Sequence, residues 1–389
     1  MLDAPGSPFD GGPYERLPAP LGRRGTDLRV LRRRAIAAVL VTWVPLAVLS
    51  AVQGLAIRPN VRESFLLDIS AYGRYVVALP LLILSERIVL PALGQVARHI
   101  ATSGLLLAHQ RASYDALVTS TRALMCSPIA GVVILVLAYL TTTRLSGLVY
   151  PTEISTWAAP IVDGVRQYSF AGWWRLLVSQ PLYAAMLGVW IWRALVWAVF
   201  LHRATRLDLR LVAAHPDHMG GLEFVVSSLR VVPIVGFAVA AGTAANIAEL
   251  VVVDGRSILE FNYLIGFVVV FVLVLFVGPL FTLRTPLLRL RLRGIISYGE
   301  LATDLGHRFE ARWVRPGRDV DDEALERPDF SAVTDAYSII ANVSAINPIP
   351  ITVRSLAPLV GATLAPFVPV LLLGMPAAEI LKLASSFLL

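Results

Sequence analysis

The sequence has little charge, one cysteine and one lysine. Asp, Glu, Lys and Arg make up 16% of the 389 residues, whereas about a quarter is usual in soluble domains. With 56% apolar residues and a mean hydropathy of +0.69, this composition excludes an ordinary soluble domain. Because Cys126 is alone, an intrachain disulfide and a multi-cysteine metal site are also excluded.

Several catalytic signatures are missing as well. The sequence contains no Gly-rich phosphate loop, no Ser/His/Asp hydrolase signature and no HExxH motif. The net charge of +7 comes almost wholly from arginine, since Lys382 is the single lysine. Positive charge in membrane proteins usually flanks the spans. We therefore expect no nucleic-acid partner, and the sequence identifies no cofactor.

What the sequence does contain is a series of long apolar runs. They predict an all-α protein, a polytopic membrane helix bundle of about seven transmembrane helices with amphipathic cytoplasmic helices. Its expected partner is the lipid bilayer, and a homo-oligomer is left open. The fifth span is rich in small residues at four-residue spacing and should be buried and central. The predicted spans are Ala35–Ile57, Tyr75–Val96, Ile129–Thr143, Ser179–Leu201, Val225–Ile247, Phe261–Leu283 and Leu356–Gly374.

The segments outside the spans complete the predicted domain organisation. Residues 1–34 contain seven arginines and predict a disordered basic cytoplasmic arm, not a signal peptide. A six-span domain at 35–283, with cytoplasmic loops at 97–127 and 202–224, precedes a cytoplasmic helical segment at 284–355. The seventh span and an interfacial tail occupy 356–389. Amphipathic helices are predicted at Arg98–Met125 and Arg284–Trp313. The apolar stripe of the second consists of Leu288, Leu292, Ile295, Tyr298, Ala302, Leu305, Phe309 and Trp313.

The arginines also predict an orientation. Most basic residues outside the spans fall on one side, the side of the amino terminus. The positive-inside rule places that side in the cytoplasm. The prediction is therefore a multi-pass inner-membrane protein with a cytoplasmic amino terminus and, for seven spans, an external carboxyl terminus.

A histidine-rich loop follows the fourth span. Its residues are His215, Pro216, Asp217, His218, Met219, Gly220 and Gly221. Two imidazoles and a carboxylate are candidate metal ligands, so His215, Asp217 and His218 can be interpreted as part of a metal site. A capped turn explains the same residues without a metal. In that interpretation Asp217 accepts from an amide three residues on as the N-cap of the next helix, and the glycines permit a tight turn. We favour the turn, because short motifs match by chance often.

Charges at membrane depth form a second candidate site. Glu86, Arg193 and Arg230 lie in or beside apolar runs and are interpreted as a substrate or ion pathway. Glu86 needs a partner from another helix, since residues adjacent on one helix do not face each other. We predict that it pairs with Arg193, directly or across water, at the wall of a cytoplasm-facing cavity. In the alternative, Arg193 contacts the aromatic rings of Trp190 and Trp197 on its own helix.

The region around the fourth span resembles a family of bacterial polytopic inner-membrane proteins without an assigned activity. The resemblance is carried by Ala171-Gly172-Trp173-Trp174, by the run from Arg206 to Val212, RLDLRLV, and by the His-Pro-Asp loop ending in Gly220-Gly221-Leu222. It continues into the helix ending at Trp313 and into the last span. The resemblance implies a membrane fold and supplies no substrate or catalytic residue.

Three classes of function remain open. The first is a transporter or channel that uses the buried charges. The second is a membrane-bound metal protein or enzyme with a cytoplasmic His/Asp site, and the third is a sensor or scaffold acting through the amphipathic helices. We favour the first, because charge inside the membrane is harder to explain structurally than a histidine in a loop.

Overall fold

The computed structural model describes residues 8–9, 27–149, 156–314, 328–349 and 351–373. These residues are mostly helical, which confirms the all-α class. The only described strands form one small hairpin, β1 (Ile161–Val162) and β2 (Val165–Arg166). The helices are α1 (Leu28–Thr42), α2 (Val44–Val52), α3 (Ile69–Ala71), α4 (Leu79–Thr102), α5 (Arg111–Met125), α6 (Pro128–Val149), α7 (Phe170–Trp174), α8 (Gln180–Ala204), α9 (Glu223–Val226), α10 (Pro233–Asp254), α11 (Asn262–Val277), α12 (Arg284–Trp313), α13 (Pro328–Ser344), α14 (Val353–Leu364) and α15 (Phe367–Leu373).

Six helical stretches of the described chain are long and apolar enough to cross a membrane. A bent helix pair, α14 and α15, makes a seventh if it is counted as one span. The protein is therefore a multi-pass membrane protein by length and composition. The six stretches are Leu28–Val52, Ile69–Thr102, Ala108–Arg144, Phe170–Ala204, Glu223–Asp254 and Ile258–Trp313.

The predicted boundaries differ from the structure mainly where a helix continues past the apolar run. The first span begins at Leu28, seven residues before the predicted start, so part of the predicted disordered arm is helix. Asp27 explains this start, because its side chain accepts a hydrogen bond from the backbone N–H of Arg29 as an N-cap. The predicted amphipathic helix at 98–125 is two helices: α4 runs on to Thr102, and α5 begins at Arg111.

The fifth span is central, as its small residues predict. Helix α10 packs against α3, α4, α14, α15 and the wide turns of Tyr72–Ala78. A Cβ added at Gly73 of the second span would lie 2.1 Å from Ala245 Cβ, and one added at Gly242 would lie 2.3 Å from the Tyr183 hydroxyl. Close backbone approach of this kind is what small residues permit between helices in lipid.

The carboxyl-terminal part confirms one prediction and corrects part of another. The last described span is bent by 50° between α14 and α15, next to Pro366, as its prolines predict. Helix α12 has the predicted bounds, and its predicted stripe is confirmed in part. Trp313 is buried and Tyr298, Ala302, Leu305 and Phe309 are half-buried, whereas Leu292 is 55% and Ile295 45% exposed. A Cβ added at Gly294 would lie 2.7 Å from Val343, so α13 approaches α12 closely there. The predicted interfacial tail, from residue 375 onward, lies outside the described residues.

The helices run alternately up and down, which defines two ends of the bundle. The end that holds the start of α1, the end of α4 and the end of α8 is called the N-terminal side. The opposite end of the bundle, where α2 ends and where α3 and α7 begin, is called the far side.

Candidate functional site

The charge cluster, defined as Arg34, Glu86 and Arg193, joins three spans inside the bundle. Arg193 Nη2 of α8 lies 3.1 Å from Glu86 Oε1 of α4, and Arg34 Nη1 of α1 lies 3.4 Å from Glu86 Oε2. The side chains of Glu86 and Arg193 are only 5% and 2% exposed. The direct contact between Glu86 and Arg193 is thus present as predicted, and it is completed by a third residue.

Arg193 also contacts Trp190, one of the two tryptophans named in the alternative. Its guanidinium carbon lies 5.0 Å from the centre of the Trp190 ring, one helical turn away. Trp190 is fixed in turn, because its indole N–H donates to the carbonyl of Leu82 at 3.1 Å. The two interpretations of Arg193 are therefore compatible. One part of the prediction is wrong: Glu86 and Arg193 do not line an open cavity, since both side chains are buried.

The ring of Phe9 packs against α8 on the N-terminal side of the charge cluster. Phe9 is fully buried and makes edge-to-face contacts with Trp197 and Phe200, at ring-centre distances of 5.2 and 5.4 Å. Residues 193, 197 and 200 share one face of α8. Phe9 therefore lies about one to two turns, roughly 6–10 Å, from the level of Arg193. Part of the predicted arm is thus docked against the bundle, beneath the charge cluster.

A second polar cluster lies at the far side. The buried carboxylate of Asp68 accepts hydrogen bonds from the indole N–H of Trp157 at 2.8 Å, the hydroxyl of Ser70 at 2.8 Å and the backbone N–H of Ala71 at 2.7 Å. Glu249 of α10 accepts from the backbone N–H of Ser70 at 3.3 Å. Asp68 thereby ties the loop before the fourth span to the start of the second.

Arg74 connects the second, fourth and fifth spans at the same end. Its guanidinium donates to Gln180 of α8 at 3.3 Å and to Asn246 of α10 at 2.9 Å, and the Tyr75 hydroxyl donates to Gln180 at 2.9 Å. The second and fourth spans each contain a wide, π-type helical turn at this end. Leu79 N–H bonds to the carbonyl of Arg74, and Gln180 N–H to that of Arg175, each five residues earlier. Such wide turns occur frequently at functional sites.

A groove of about 1000 Å³ runs between α6 and α8 and ends at this polar cluster. Its walls are apolar side chains of α6 and α8, among them Val133, Ile134 and Ile191. The charged residues that line it are Arg74, Arg166 and Arg175, all at the far side. Neither Glu86 nor Arg193 lines the groove, so the charge cluster and the groove are separate features.

The histidine-rich loop is organised around the Asp217 carboxylate. Asp217 accepts from the backbone N–H groups of Met219 at 2.8 Å, Gly221 at 3.0 Å and Glu223 at 3.2 Å, and it contacts His215 Nδ1 at 2.7 Å. These bonds fit the turn interpretation with one correction. Asp217 is not the N-cap residue of α9, which is Leu222, although it reaches the first amide of that helix.

The remaining loop residues adopt turn conformations. Gly220 and Gly221 have φ values of 66° and 93°, which favour glycine. His218 also has a positive φ, of 53°, and its carbonyl accepts from Asn347 N–H at 3.1 Å. Among the described residues, no group of three or more His, Cys, Asp or Glu side chains is placed to hold a metal ion.

Asp217→Ala is expected to lower the free energy of unfolding at neutral pH by about 1.5–3 kcal/mol, the range for hydrogen bonds to a charged group. Burial raises the pKa of Asp217, but the N–H groups of Met219, Gly221 and Glu223 and the His215 ring bring it below the ordinary 3.8. The contribution is therefore complete above about pH 3.8 and lost as pH falls through the folded-state pKa. Thermal unfolding of the purified wild-type and variant proteins at several pH values measures this. If Asp217→Ala is less stable than the wild type by the same amount in acid as at neutral pH, the proposed role of the ionised Asp217 carboxylate is contradicted.

Arg230 does not join the charge cluster. It ends the short helical turn Ser227–Arg230 and is exposed. The sequence interpretation also missed functional candidates: Arg34 was assigned to the arm, and Asp68, Arg74, Gln180 and Asn246 were not considered together. The available signal was the presence of these polar residues in or beside long apolar runs.

Known proteins offer no identification of this chain. No family model matches it, and neither the curated proteins nor the solved structures include a match.

Proposed function

We propose that this protein transports a small anion across the membrane along a path through the charge cluster. The observation that carries the proposal is a carboxylate, Glu86, held at membrane depth between arginines of two other spans. An apolar substitute for a buried ion pair is often as stable or more stable, so stability alone does not account for these charges. Ionisable groups inside a membrane are functional candidates by default.

The sign of the charge favours an anion. Two guanidinium groups contact one carboxylate in the charge cluster. Arginine side chains recognise anionic groups through charge-assisted hydrogen bonds, so a path lined by two of them favours an anionic solute. We infer that the solute is a monoanion small enough to pass between α1, α4 and α8.

The structure corresponds, in this proposal, to a closed state. Glu86 and Arg193 are buried, and Phe9 covers the same face of α8 on the N-terminal side. Opening therefore requires Phe9 to leave the Trp197 and Phe200 rings. Loss of two aromatic contacts costs about 1–3 kcal/mol beyond the exposed area, which is small enough for a reversible step.

Localisation is part of the same proposal. We infer that the chain belongs to the inner-membrane family that its Arg206–Val212 and His215–Leu222 segments resemble, and that its amino terminus is cytoplasmic. The support is the excess of arginine on the N-terminal side. Under this orientation Phe9 closes the path from the cytoplasm.

Arg193→Gln is expected to reduce anion flux at least about tenfold, equivalent to about 1.4 kcal/mol of barrier, because the proposed path loses a positive charge. The assay is chloride, nitrate and acetate uptake into liposomes that contain purified protein, driven by a clamped membrane potential. Arg98→Gln is the matched control, since Arg98 is an exposed arginine on the same helix as Glu86. Uptake no faster than in empty liposomes, or equal uptake by both variants, would contradict anion transport.

A further inference from the structure

The groove between α6 and α8 is long, apolar and open to the bilayer. Its lining follows α6 from Ala130 to Thr142, about 18 Å along the helix axis. This length exceeds one leaflet of hydrocarbon, which is about 15 Å thick. Ile129 and Leu137, which line the groove, are 74% and 53% exposed in the structure, so it opens sideways and a lipid chain can enter it from the membrane.

The arginines at the far end of the groove are already engaged by the protein. Asp68 interacts electrostatically with Arg175 and Arg74, and Glu249 interacts in the same way with Arg74. Arg166, the third arginine of the lining, also has a partner. Selection of a ligand at this end therefore has to rest on hydrogen bonds rather than on charge.

Three uncharged groups at the same end have hydrogen-bonding capacity to spare. Arg74 donates to the side-chain carbonyl oxygens of Gln180 and Asn246, so the N–H groups of the two amides are not used in these contacts. Among the described residues, neither amide nitrogen nor the Tyr183 hydroxyl has a hydrogen-bond partner, and none of the three atoms is buried. Because all three residues line the groove, its far end offers three donors to a ligand.

The three donors lie close together on two spans. Gln180 and Asn246 accept from the two terminal nitrogens of one guanidinium, Nη1 and Nη2 of Arg74, at 3.3 and 2.9 Å. Tyr183 lies one turn after Gln180 on α8. Its hydroxyl packs directly against Gly242, which lies one turn before Asn246 on α10. The donors of α8 and α10 therefore meet at one place, where the groove ends.

We propose that the groove binds an uncharged diacylglycerol, with an ester carbonyl at Gln180, Tyr183 and Asn246 and one acyl chain between α6 and α8. An ester oxygen accepts hydrogen bonds without carrying charge, which suits unpaired donors beside arginines that already have partners. The polar end lies at the far side and the apolar walls extend from it into the bilayer, as the ester and chain of a membrane lipid do. Neither Glu86 nor Arg193 lines the groove, so the site would hold this lipid whether or not the charge cluster conducts.

Native mass spectrometry of the purified protein in detergent tests this site. The probes are a diacylglycerol, the dialkylglycerol ether of the same chain length, which lacks both carbonyls, and phosphatidylglycerol with the same acyl chains. We expect the diacylglycerol to bind about three- to tenfold more tightly than the ether, the range for one neutral hydrogen bond. Phosphatidylglycerol should bind no more tightly than the diacylglycerol, because the arginines at the end of the groove are already engaged.

Two conservative variants and a control test the donors. Tyr183→Phe breaks no hydrogen bond among the described residues, so it should fold like the wild type and lose most of the preference for the ester over the ether. Asn246→Asp keeps an oxygen for Arg74 but removes the amide donor, and it should have the same effect on the preference. Tyr263→Phe, at a 93% exposed tyrosine outside the groove, should bind all three lipids like the wild type.

The contribution of the chain is tested separately. Ala184→Phe, which fills the groove, should weaken the ester and the ether alike. Equal binding of the ester and the ether by the wild type would show that the groove holds a lipid by its chain alone, and this would overturn the proposal. Tighter binding of phosphatidylglycerol than of diacylglycerol, or an ester preference that survives both Tyr183→Phe and Asn246→Asp, would overturn it as well.

Discussion

Exchanging the charges of Glu86 and Arg193 should restore the folded yield and the thermal stability that each single charge reversal lowers. Glu86→Arg places three cations together, and Arg193→Glu places two carboxylates beside one cation, at sites 5% and 2% exposed. Removing one partner of a buried pair costs about 3–5 kcal/mol, and reversing it costs at least as much. The double variant restores an ion pair across α4 and α8. The measurement is the yield and thermal stability of folded protein in detergent.

Recovery in the double variant should be partial, because Arg34 then faces an arginine at position 86. The triple variant with Arg34→Gln removes that repulsion and is expected to be more stable than the double. Arg98→Glu, at an exposed arginine of α4, is the control and should change stability by less than about 0.5 kcal/mol. A double variant no more stable than the worse single would show that the pair does not contribute as a unit.

Gly73→Ala should destabilise the protein by about 1–3 kcal/mol, the usual cost of overpacking. The added Cβ would lie 2.1 Å from Ala245 Cβ and 3.3 Å from the Ala241 carbonyl, so α10 has to move away from the second span. This contact lies directly beside the hydrogen bond from Arg74 to Asn246, which are the next residues along the two helices. The change should therefore also disturb the far-side polar cluster. Thermal unfolding of the purified variant measures the cost.

The matched control for Gly73 is Gly266 in the sixth span. A Cβ at Gly266 meets nothing within 4 Å, so Gly266→Ala should be neutral or stabilising by up to about 1 kcal/mol through helix propensity. The second change Ala245→Gly should return stability to the Gly73→Ala protein by making room. If Gly73→Ala is as stable as Gly266→Ala, the close approach of the second and fifth spans is wrong.

Much of the membrane fold could be predicted from the sequence, because apolar length and small-residue spacing act locally. The bounds of α12 and the bend near Pro366 follow from helix length and proline, both of which are visible in the chain. The start of α1 was misplaced because apolarity, not the Asp27 cap, decided the predicted boundary. The exposure of Leu292 and Ile295 within the predicted stripe of α12 does not follow from hydrophobicity, because the close approach of α13 at Gly294 is a tertiary contact.

The candidate site was partly predictable for a different reason. A carboxylate in an apolar run requires a partner at the same depth, and depth can be counted along a helix, so Glu86 and Arg193 could be matched. Arg34 could not be assigned, because its depth depends on where α1 begins. Phe9 and Trp197 are separated in sequence by the first three spans, and a contact over that separation leaves no periodic signal.

The most direct test of anion passage through the charge cluster is tracer uptake by the Phe9→Ala protein in liposomes, with radioactive chloride and rubidium measured in parallel. Removing the ring from Trp197 and Phe200 should open the N-terminal side and raise chloride uptake about tenfold. Rubidium uptake should stay at the level of empty liposomes. Adding Arg193→Gln to the same protein should abolish the gain. Chloride uptake that is unchanged in Phe9→Ala, or a gain that persists with Arg193→Gln, would contradict the path through Arg34, Glu86 and Arg193.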